Sequence, residues 1–577
     1  MYTCSGEKVF VGNASAIAFL QYLRGSLNIL GPGFAISHGC HRMFEAQVPV
    51  QQPGIFKDDI DDGERRILVQ RFLDASSGLL DLFDESEIDR LLAMVKSPQN
   101  SLGQDNSAVD SDGLLCLYMM IAVGAQCRGQ PGDSPKAFRY FSEARRLSFQ
   151  GMLSDPTLDT ARGFVLMAFY MFGACRRNSA FMYLGVATKA ASVMGLHMAH
   201  QFQSLSEDER SLRSRIDSSI RLFDVVCSSI LGRPTSIAPC RPRENSTMTS
   251  TRHRNQTVDA ACAFAAILNR IVDKLTEESQ LGLIRAERFL DEIRDWSKSL
   301  PPALRQRPRK GSAQSHRSHS REIVIGNIHV ACTYYFGISL TTREFLIQHI
   351  MSQLDTEMSS SDSRHVDITS EEEKRIAELS NVCVDSAVFM AEMCSDALDS
   401  RTIMGNMCIL KAWLFAAGLI LGFSLLDPDA PQSRGRAFHN ALRVLDFLGH
   451  LSPQAAQYHR LLMSFSQAID AFKNNSPSDH NQSAPYVEQL LSLNMVESPE
   501  AVKADETSRQ SNGFGDGNND GQSSFFQSAA AGGVLNSLSA FDFAGTGGED
   551  LILSLLWDGG DDPYPVAGSS NMSLDLE

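Results

Sequence analysis

The 577-residue sequence has twelve cysteines but no CxxC pair, and its first hundred residues hold only Cys4 and Cys40. A cysteine-rich zinc module needs closely spaced thiolates, so we predict none within this chain. The scattered cysteines, several of which lie in apolar stretches, are typical of reduced intracellular thiols rather than of a disulfide framework. A disulfide-rich secreted class is therefore excluded.

Targeting and membrane signals are also lacking. The N-terminal residues MYTCSGEKVF do not follow the charged-then-apolar order of a signal peptide. The longest apolar run, Ala412 to Leu426, is shorter than the roughly 20 residues that span a bilayer. We expect neither secretion nor a membrane partner.

Positive charge and catalytic motifs are scarce. The formal charge of -16 argues against a nucleic-acid coat, because phosphate neutralisation requires clustered Lys and Arg. The sequence contains no GxSxG elbow, no P-loop and no GxGxxG fingerprint. Without a nucleophile with its base or a phosphate cradle, we predict no catalytic residue, no bound cofactor and no enzyme.

Strand signals are sparse, whereas helical periodicity recurs, so we predict an all-α fold. One helix should end at Gly195, and the next should begin at a capping box of Ser206 and Glu209 and end at Gly232. Thr160 to Phe172 is apolar on all sides, as in a helix surrounded by others. Further helices are predicted near 260–298, 322–350, 371–397, 403–426, 435–449 and 453–473.

The composition divides the chain into a helical regulatory body at 1–473 and a tail at 474–577 that we predict to be disordered and acidic. Polar inserts are predicted in the body near 97–112, 241–255, 305–321 and 359–367.

The tail has ten acidic residues and no Lys or Arg after Arg509, and apolar residues are interleaved with the acids. Such mixtures are typical of activation segments, whose apolar side chains enter a coactivator groove as a helix. A solubilising tail is the alternative. We predict an activation segment at 535–577, whose candidate contact residues are Phe541, Phe543, Leu551, Leu555, Leu556 and Trp557.

Two short landmarks resemble the fungal-specific transcription factor domain, which is the middle homology region of fungal zinc-cluster regulators. The first is Ala180-Phe181 leading to Gly195-Leu196-His197, and the second is Asp224 followed by Gly232-Arg233-Pro234. The landmark residues are Gly195, Leu196, His197, Asp224, Gly232, Arg233 and Pro234.

The second landmark has a structural and a functional interpretation. A Gly and a Pro after a helix are how helices ordinarily end, which favours the structural one. Arg233 could pair with a carboxylate such as Asp224 and hold two segments in register. The alternative is an effector or autoinhibitory contact. His197 is predicted to pack against or cap its helix end.

Weaker similarity continues outside the landmarks. Tyr335 with Arg343 resembles the tyrosine helix of the family, and Cys383 with Ala387 resembles the start of its next helix. Gly12 belongs to a short motif that resembles the one with which the regulatory domain of the family normally begins. The sequence departs from the family pattern at Ile216-Asp217, Val225 and Glu344.

The resemblance implies a nuclear regulator that dimerises and binds DNA through an N-terminal zinc cluster. Because Met1 lies near the expected edge of the regulatory domain, two explanations stay open: the module is encoded upstream, or the protein reaches DNA through a partner factor. Zinc is expected only in the first case. Resembling regulators govern nutrient use, stress responses and secondary metabolite clusters alike, so the pathway is left open.

Other functional classes stay as alternatives. A helical adaptor without DNA affinity would bind another regulator.

The acids of Asp58-Asp59-Ile60-Asp61-Asp62 fit the DDxxD spacing of magnesium-dependent terpene synthases, but acids are also favoured before a helix. Neither His38-Cys40-His41 nor His316 with His319 forms a complete metal-ligand set. The basic stretch from Arg305 to Arg321 is either a nuclear-import patch or a solvated loop.

Overall fold

A computed structural model describes residues 10–20, 23, 46, 56–95, 107–149, 155–198, 204–236, 253–278, 280–301, 304, 321–358, 370–427 and 429–474. Within these ranges the chain forms helices, turns and connecting segments, and no strand. The prediction of an all-α fold is confirmed. The predicted activation segment lies outside the described residues.

Seven helices make up the first half of the described chain. They are α1 (Asp62–Ser76), α2 (Glu85–Met94), α3 (Ser107–Arg128), α4 (Asp133–Ser148), α5 (Leu158–Gly173), α6 (Arg177–Val193) and α7 (Glu207–Leu231). A short helical segment at 16–20 precedes them.

The second half adds longer helices. They are α8 (His253–Glu278), α9 (Leu283–Ser299), α10 (Arg321–Met358), α11 (Ser370–Asp399), α12 (Leu410–Ser424), α13 (Gln432–Gly449) and α14 (Pro453–Asn474).

One continuous hydrophobic core joins the two halves, and its buried members run from Ala14 to Phe465. Helix α3 packs on α1, α4 and α5, whereas α10 packs on α8, α11 and α12. Every residue of α5 from Thr160 to Gly173 is buried, as its all-round apolar sequence predicts. Nearly all of α12 is buried in the same way. These two helices are the centre around which the others are arranged.

Some boundaries differ from the sequence prediction. The stretch predicted near 260–298 is two helices, because α8 ends at Glu278 and α9 begins after Gly282. Helix α12 begins at Leu410 rather than near 403. Helix α3 begins at Ser107, inside the insert predicted at 97–112.

Helix α10 contains an apolar stretch, Arg321–Leu354, that is long enough to cross a membrane by length and composition. The sequence predicts a helix here, near 322–350, with no membrane-length span. Two thirds of its most apolar window, 67%, is buried inside the bundle. A core helix of a folded domain passes the same test, and the packing of α10 on α8, α11 and α12 accounts for its composition.

Candidate functional site

The first landmark is the C-terminal end of α6. Gly195 has φ +67°, a left-handed conformation that glycine adopts without a Cβ penalty. The backbone N–H of Leu196 donates to the carbonyl of Ala191 at 3.0 Å, which closes the helix end. The predicted stop at Gly195 agrees with this geometry. Leu196 is buried and His197 is exposed, and the packing or capping role of His197 at this helix end stays a prediction.

The second landmark is the C-terminal end of α7. The helix begins after Ser206, whose hydroxyl accepts a hydrogen bond from the Glu209 N–H, which is one of the two hydrogen bonds of the predicted capping box. It ends at Gly232, where φ is +64°, and the N–H of Arg233 donates to the carbonyl of Ser228 at 2.9 Å. The exposed Pro234 then ends the turn.

At Gly232 the N-terminal segment crosses the helix end with direct contact between two backbones. A Cβ on Gly232 would lie 2.3 Å from the carbonyl oxygen of Gly12, and one on Gly12 would lie 2.0 Å from that of Gly232. No side chain fits at either position without moving the backbone. The close crossing, as well as the left-handed turn, therefore requires glycine at Gly232.

Arg233 is buried beside this crossing and joins three parts of the chain. Its Nε donates to the Phe10 carbonyl at 3.3 Å, and its Nη2 donates to Oδ1 of Asn178 on α6 at 2.6 Å. The guanidinium lies 5.1 Å from the ring centre of Phe181, within cation–π range. Arg233 thus links the N-terminal segment to the beginning of α6 and to the end of α7.

Asp224 is buried on α7 and holds the chain that follows the turn. Its Oδ2 accepts a hydrogen bond from the backbone N–H of Ser236 at 2.7 Å. This contact fixes the exit of the segment after Pro234. A direct ion pair between Asp224 and Arg233 stays a prediction.

A second arginine holds the same N-terminal segment from α10. Arg343 donates to the carbonyls of Asn13 and Ala14, and its guanidinium lies 5.1 Å from the ring centre of Phe19. Asn13 in turn donates to the Leu275 carbonyl of α8 at 3.4 Å. The segment is therefore held by contacts with the end of α7, with α8 and with α10, and Arg233 links it to α6. We call residues 10–20 with these contacts the N-terminal strap.

The acidic run before α1 is neutralised by local partners. Asp58 accepts hydrogen bonds from Arg65 and from the Tyr140 hydroxyl, and Asp59 pairs with Arg139, which lowers the pKa of the Asp59 carboxyl. Asp61 caps α1 by accepting from the Glu64 N–H at 2.7 Å. These contacts agree with the structural interpretation of the DDxxD spacing.

The other candidate ligands and basic residues fall mostly outside the described part of the chain. This holds for His38-Cys40-His41, for His316 with His319 and for the basic stretch before Arg321. Among the residues that the structure describes, no three His, Cys, Asp or Glu side chains form a group that could hold a metal ion.

The comparison with protein families agrees with both landmarks. Residues 69–248 match the model of the fungal specific transcription factor domain. The chain carries a fungal specific transcription factor domain. This is a family of transcription regulators and not an enzyme family. Both landmark turns lie inside the matched range, whereas the strap and Arg343 of α10 lie outside it.

Two curated regulators are similar to this chain. The thiamine repressible genes regulatory protein of Schizosaccharomyces pombe is 23% identical over 403 residues, which cover 66% of this chain and 48% of that protein. The activator of stress genes protein 1 of Candida albicans is 27% identical over 137 residues, which cover 21% of this chain and 14% of that protein. The aligned region thus spans less than half of either relative.

Two buried polar residues outside the matched range were not predicted from the sequence. Lys411 and His329 are both almost fully inaccessible, and neither was singled out. A signal for Lys411 did exist, since it is the one charged side chain in the apolar stretch from Met407 to Leu426. For His329 the sequence contained no such signal, because His is common on partly buried helix faces.

Proposed function

We propose that this protein is a nuclear regulator of transcription whose helical body presents an activation segment at 535–577 to coactivators. The observation that carries the proposal is the fungal specific transcription factor domain at 69–248, whose two landmark turns are built into one continuous core. The similarity to two fungal regulators supports it. By resemblance to the family, the protein acts as a homodimer and reaches DNA through a zinc cluster or a partner factor.

The role of the activation segment rests on its composition. Eight acidic side chains without a compensating cation keep the apolar residues of 535–577 solvated until a groove accepts them. A solubilising tail would not need the cluster Leu555-Leu556-Trp557.

A fusion experiment tests this segment. Residues 535–577 joined to a foreign DNA-binding domain are expected to activate a reporter gene, and changing Leu555, Leu556 and Trp557 to Ala should abolish activation. A matched control changes Ser569, Ser570 and Asn571 to Ala, which leaves the acids and apolar residues in place. If the unmutated fusion does not activate, the segment has another role.

Direct DNA binding and recruitment by a partner are separated by chromatin occupancy. The full chain is mapped on chromatin in cells that contain or lack each candidate partner factor. Occupancy that persists without every partner supports a DNA-binding module of its own. Occupancy that is lost with one partner supports the adaptor function.

A further inference from the structure

The turn after α5, the first turn of α12 and the turn before α14 meet at a buried cluster that combines an amine, a thiol and a hydroxyl. Cys175 lies between α5 and α6, Lys411 is in the first turn of α12, and Ser452 precedes α14. All three residues are almost fully inaccessible to solvent. None of the three residues belongs to the strap or to either landmark turn.

The amine of Lys411 has three acceptors around it. Its Nζ lies 2.9 Å from Oγ of Ser452, 3.4 Å from Sγ of Cys175 and 3.4 Å from the carbonyl oxygen of Phe172. Because Ser452 Oγ accepts from Lys411, its own hydrogen can be donated to Sγ of Cys175, 3.5 Å away. The amine and the hydroxyl both face the sulfur.

These neighbours make Cys175 chemically different from the other thiols in this part of the core. Burial acts to raise the pKa of the Cys175 thiol, but the Lys411 charge and hydrogen bonds from Ser452 and Gln454 lower it below its usual value. Burial raises the pKa of the Cys408 thiol to about 12 and also raises that of Cys127. Of these three thiols, Cys175 is thus the one whose pKa is lowered, so it loses its proton most readily.

The backbone at Cys175 is also unusual. Its φ is +59°, and its N–H donates to the Phe172 carbonyl while the next N–H closes the end of α5 on Met171. This is a helix-end position that glycine normally fills, and a side chain there costs about 1–2 kcal/mol of strain. Strained positions that keep a side chain cluster at functional sites.

We propose that Cys175 and Lys411 form a reversible oxidative cross-link, a sulfenamide between Sγ and Nζ, when the protein is exposed to hydrogen peroxide. This goes beyond the proposed function, because it assigns a modification site to the helical body. Peroxide is only slightly larger than water, and it reaches the cluster when one of the three turns opens locally.

The chemistry balances with a single equivalent of peroxide. The thiolate attacks one peroxide oxygen, the O–O bond breaks, and sulfenic acid and hydroxide form. Hydroxide, the stronger base, takes a proton from the Lys411 ammonium and leaves a neutral amine and water. The neutral amine attacks the sulfur, the N–S bond forms, the S–O bond breaks and water leaves. Sulfur loses two electrons, peroxide gains two, and two waters are released in all.

The cross-link is tested by peptide mapping of the full-length protein after mild peroxide treatment. Free thiols are alkylated, the protein is digested, and the masses of the peptides are measured. We expect a joined peptide containing Cys175 and Lys411 whose mass is two hydrogens less than the sum of the free peptides. Treatment with dithiothreitol should return both peptides. Cys127 and Cys408 in the same sample serve as internal controls and should stay free thiols.

Two variants identify the partner atoms. Lys411→Met, which matches lysine in length without an amine, should give no joined peptide. Cys175→Gly, which suits the left-handed backbone, should also give none, whereas Cys408→Ser should still give it. The proposal is overturned if untreated and treated wild-type protein give the same map, or if Cys175 is oxidised without a bond to Lys411. Because the wild-type map decides, the result does not depend on the folding of a variant.

Discussion

Two constraints require glycine at Gly232, and comparison with a control substitution separates their contributions. Its φ is +64°, and a Cβ would also lie 2.3 Å from the Gly12 carbonyl. We expect Gly232→Ala to destabilise the fold by about 2–5 kcal/mol, because backbone strain and the clash add. Chemical denaturation measures this change. Gly132→Ala is the matched control, since Gly132 has φ +87° with nothing near its Cβ position, and it should cost only about 1–2 kcal/mol. Equal effects would show that the crossing with Gly12 contributes nothing.

Arg233 tests whether the second landmark is structural or senses an effector. Removing its guanidinium leaves the Phe10 carbonyl and Asn178 without that donor. We expect Arg233→Ala to cost about 2–3 kcal/mol and to lower Tm, with little change in the response to any inducer. Arg146→Ala, which removes an exposed pair with Glu143, is the control and should leave Tm nearly unchanged. An unchanged Tm with a lost inducer response would favour the effector role.

His329 makes the stability of the fold depend on pH. Burial lowers the pKa of His329 to about 4, and its Nδ1 lies 2.7 Å from the Ser77 carbonyl oxygen. The unfolded chain binds a proton near pH 6.5 and the folded chain does not, so stability falls as the pH drops from about 6.5 towards 4.

We therefore expect His329→Gln to flatten the pH dependence of the unfolding free energy across this window. The wild-type loss attributable to His329 is about 3 kcal/mol. Chemical denaturation at a series of pH values measures the difference between the two proteins. A variant whose curve runs parallel to that of the wild type would contradict the buried neutral imidazole.

At the scale of elements, the N-terminal strap depends on contacts with the end of α7, with α8 and with α10. Arg343 supplies the contact from α10 by donating to the Asn13 and Ala14 carbonyls. We expect Arg343→Ala to loosen the strap and to speed hydrogen exchange at the Ser15 and Phe19 amides, which are bonded within it.

The control for the strap is Arg294→Ala on α9, whose pair with Asp291 is exposed. It should leave exchange in the strap unchanged. If exchange at Ser15 and Phe19 is the same in the Arg343 variant and in wild type, the strap is held by its other contacts.

The elements were largely predictable because local signals determine them. The Ser206 cap, the apolar stripe of α7 and the glycine stops at Gly195 and Gly232 are readable from spacing alone. The break between α8 and α9 was missed because Gly282 alone is a weak stop inside a long periodic stretch.

The contacts between elements were not predictable in the same way. The partners of Arg233 lie 55 and 223 residues away in sequence, and those of Arg343 about 330 away. No local spacing encodes such pairs. The same holds for Lys411 and Cys175, which are 236 residues apart and meet only because three turns converge.

At the scale of the whole molecule, the structure explains how a regulatory body can act as one unit. The matched range 69–248 shares its core with α8 to α14, and the strap contacts both parts. A change at one turn can therefore alter packing across the body, since a close-packed core transmits strain. The part of the tail after Arg509 adds ten acidic side chains to this body.

Reporter activation by the full chain, tethered to a promoter through a foreign DNA-binding domain, tests the proposed function. We expect tethered full-length protein to raise reporter transcription, and we expect changing Leu555, Leu556 and Trp557 to Ala to remove the increase at equal protein level. Activation that is unchanged by these substitutions, or no activation by full-length protein and by 535–577 alone, would contradict it.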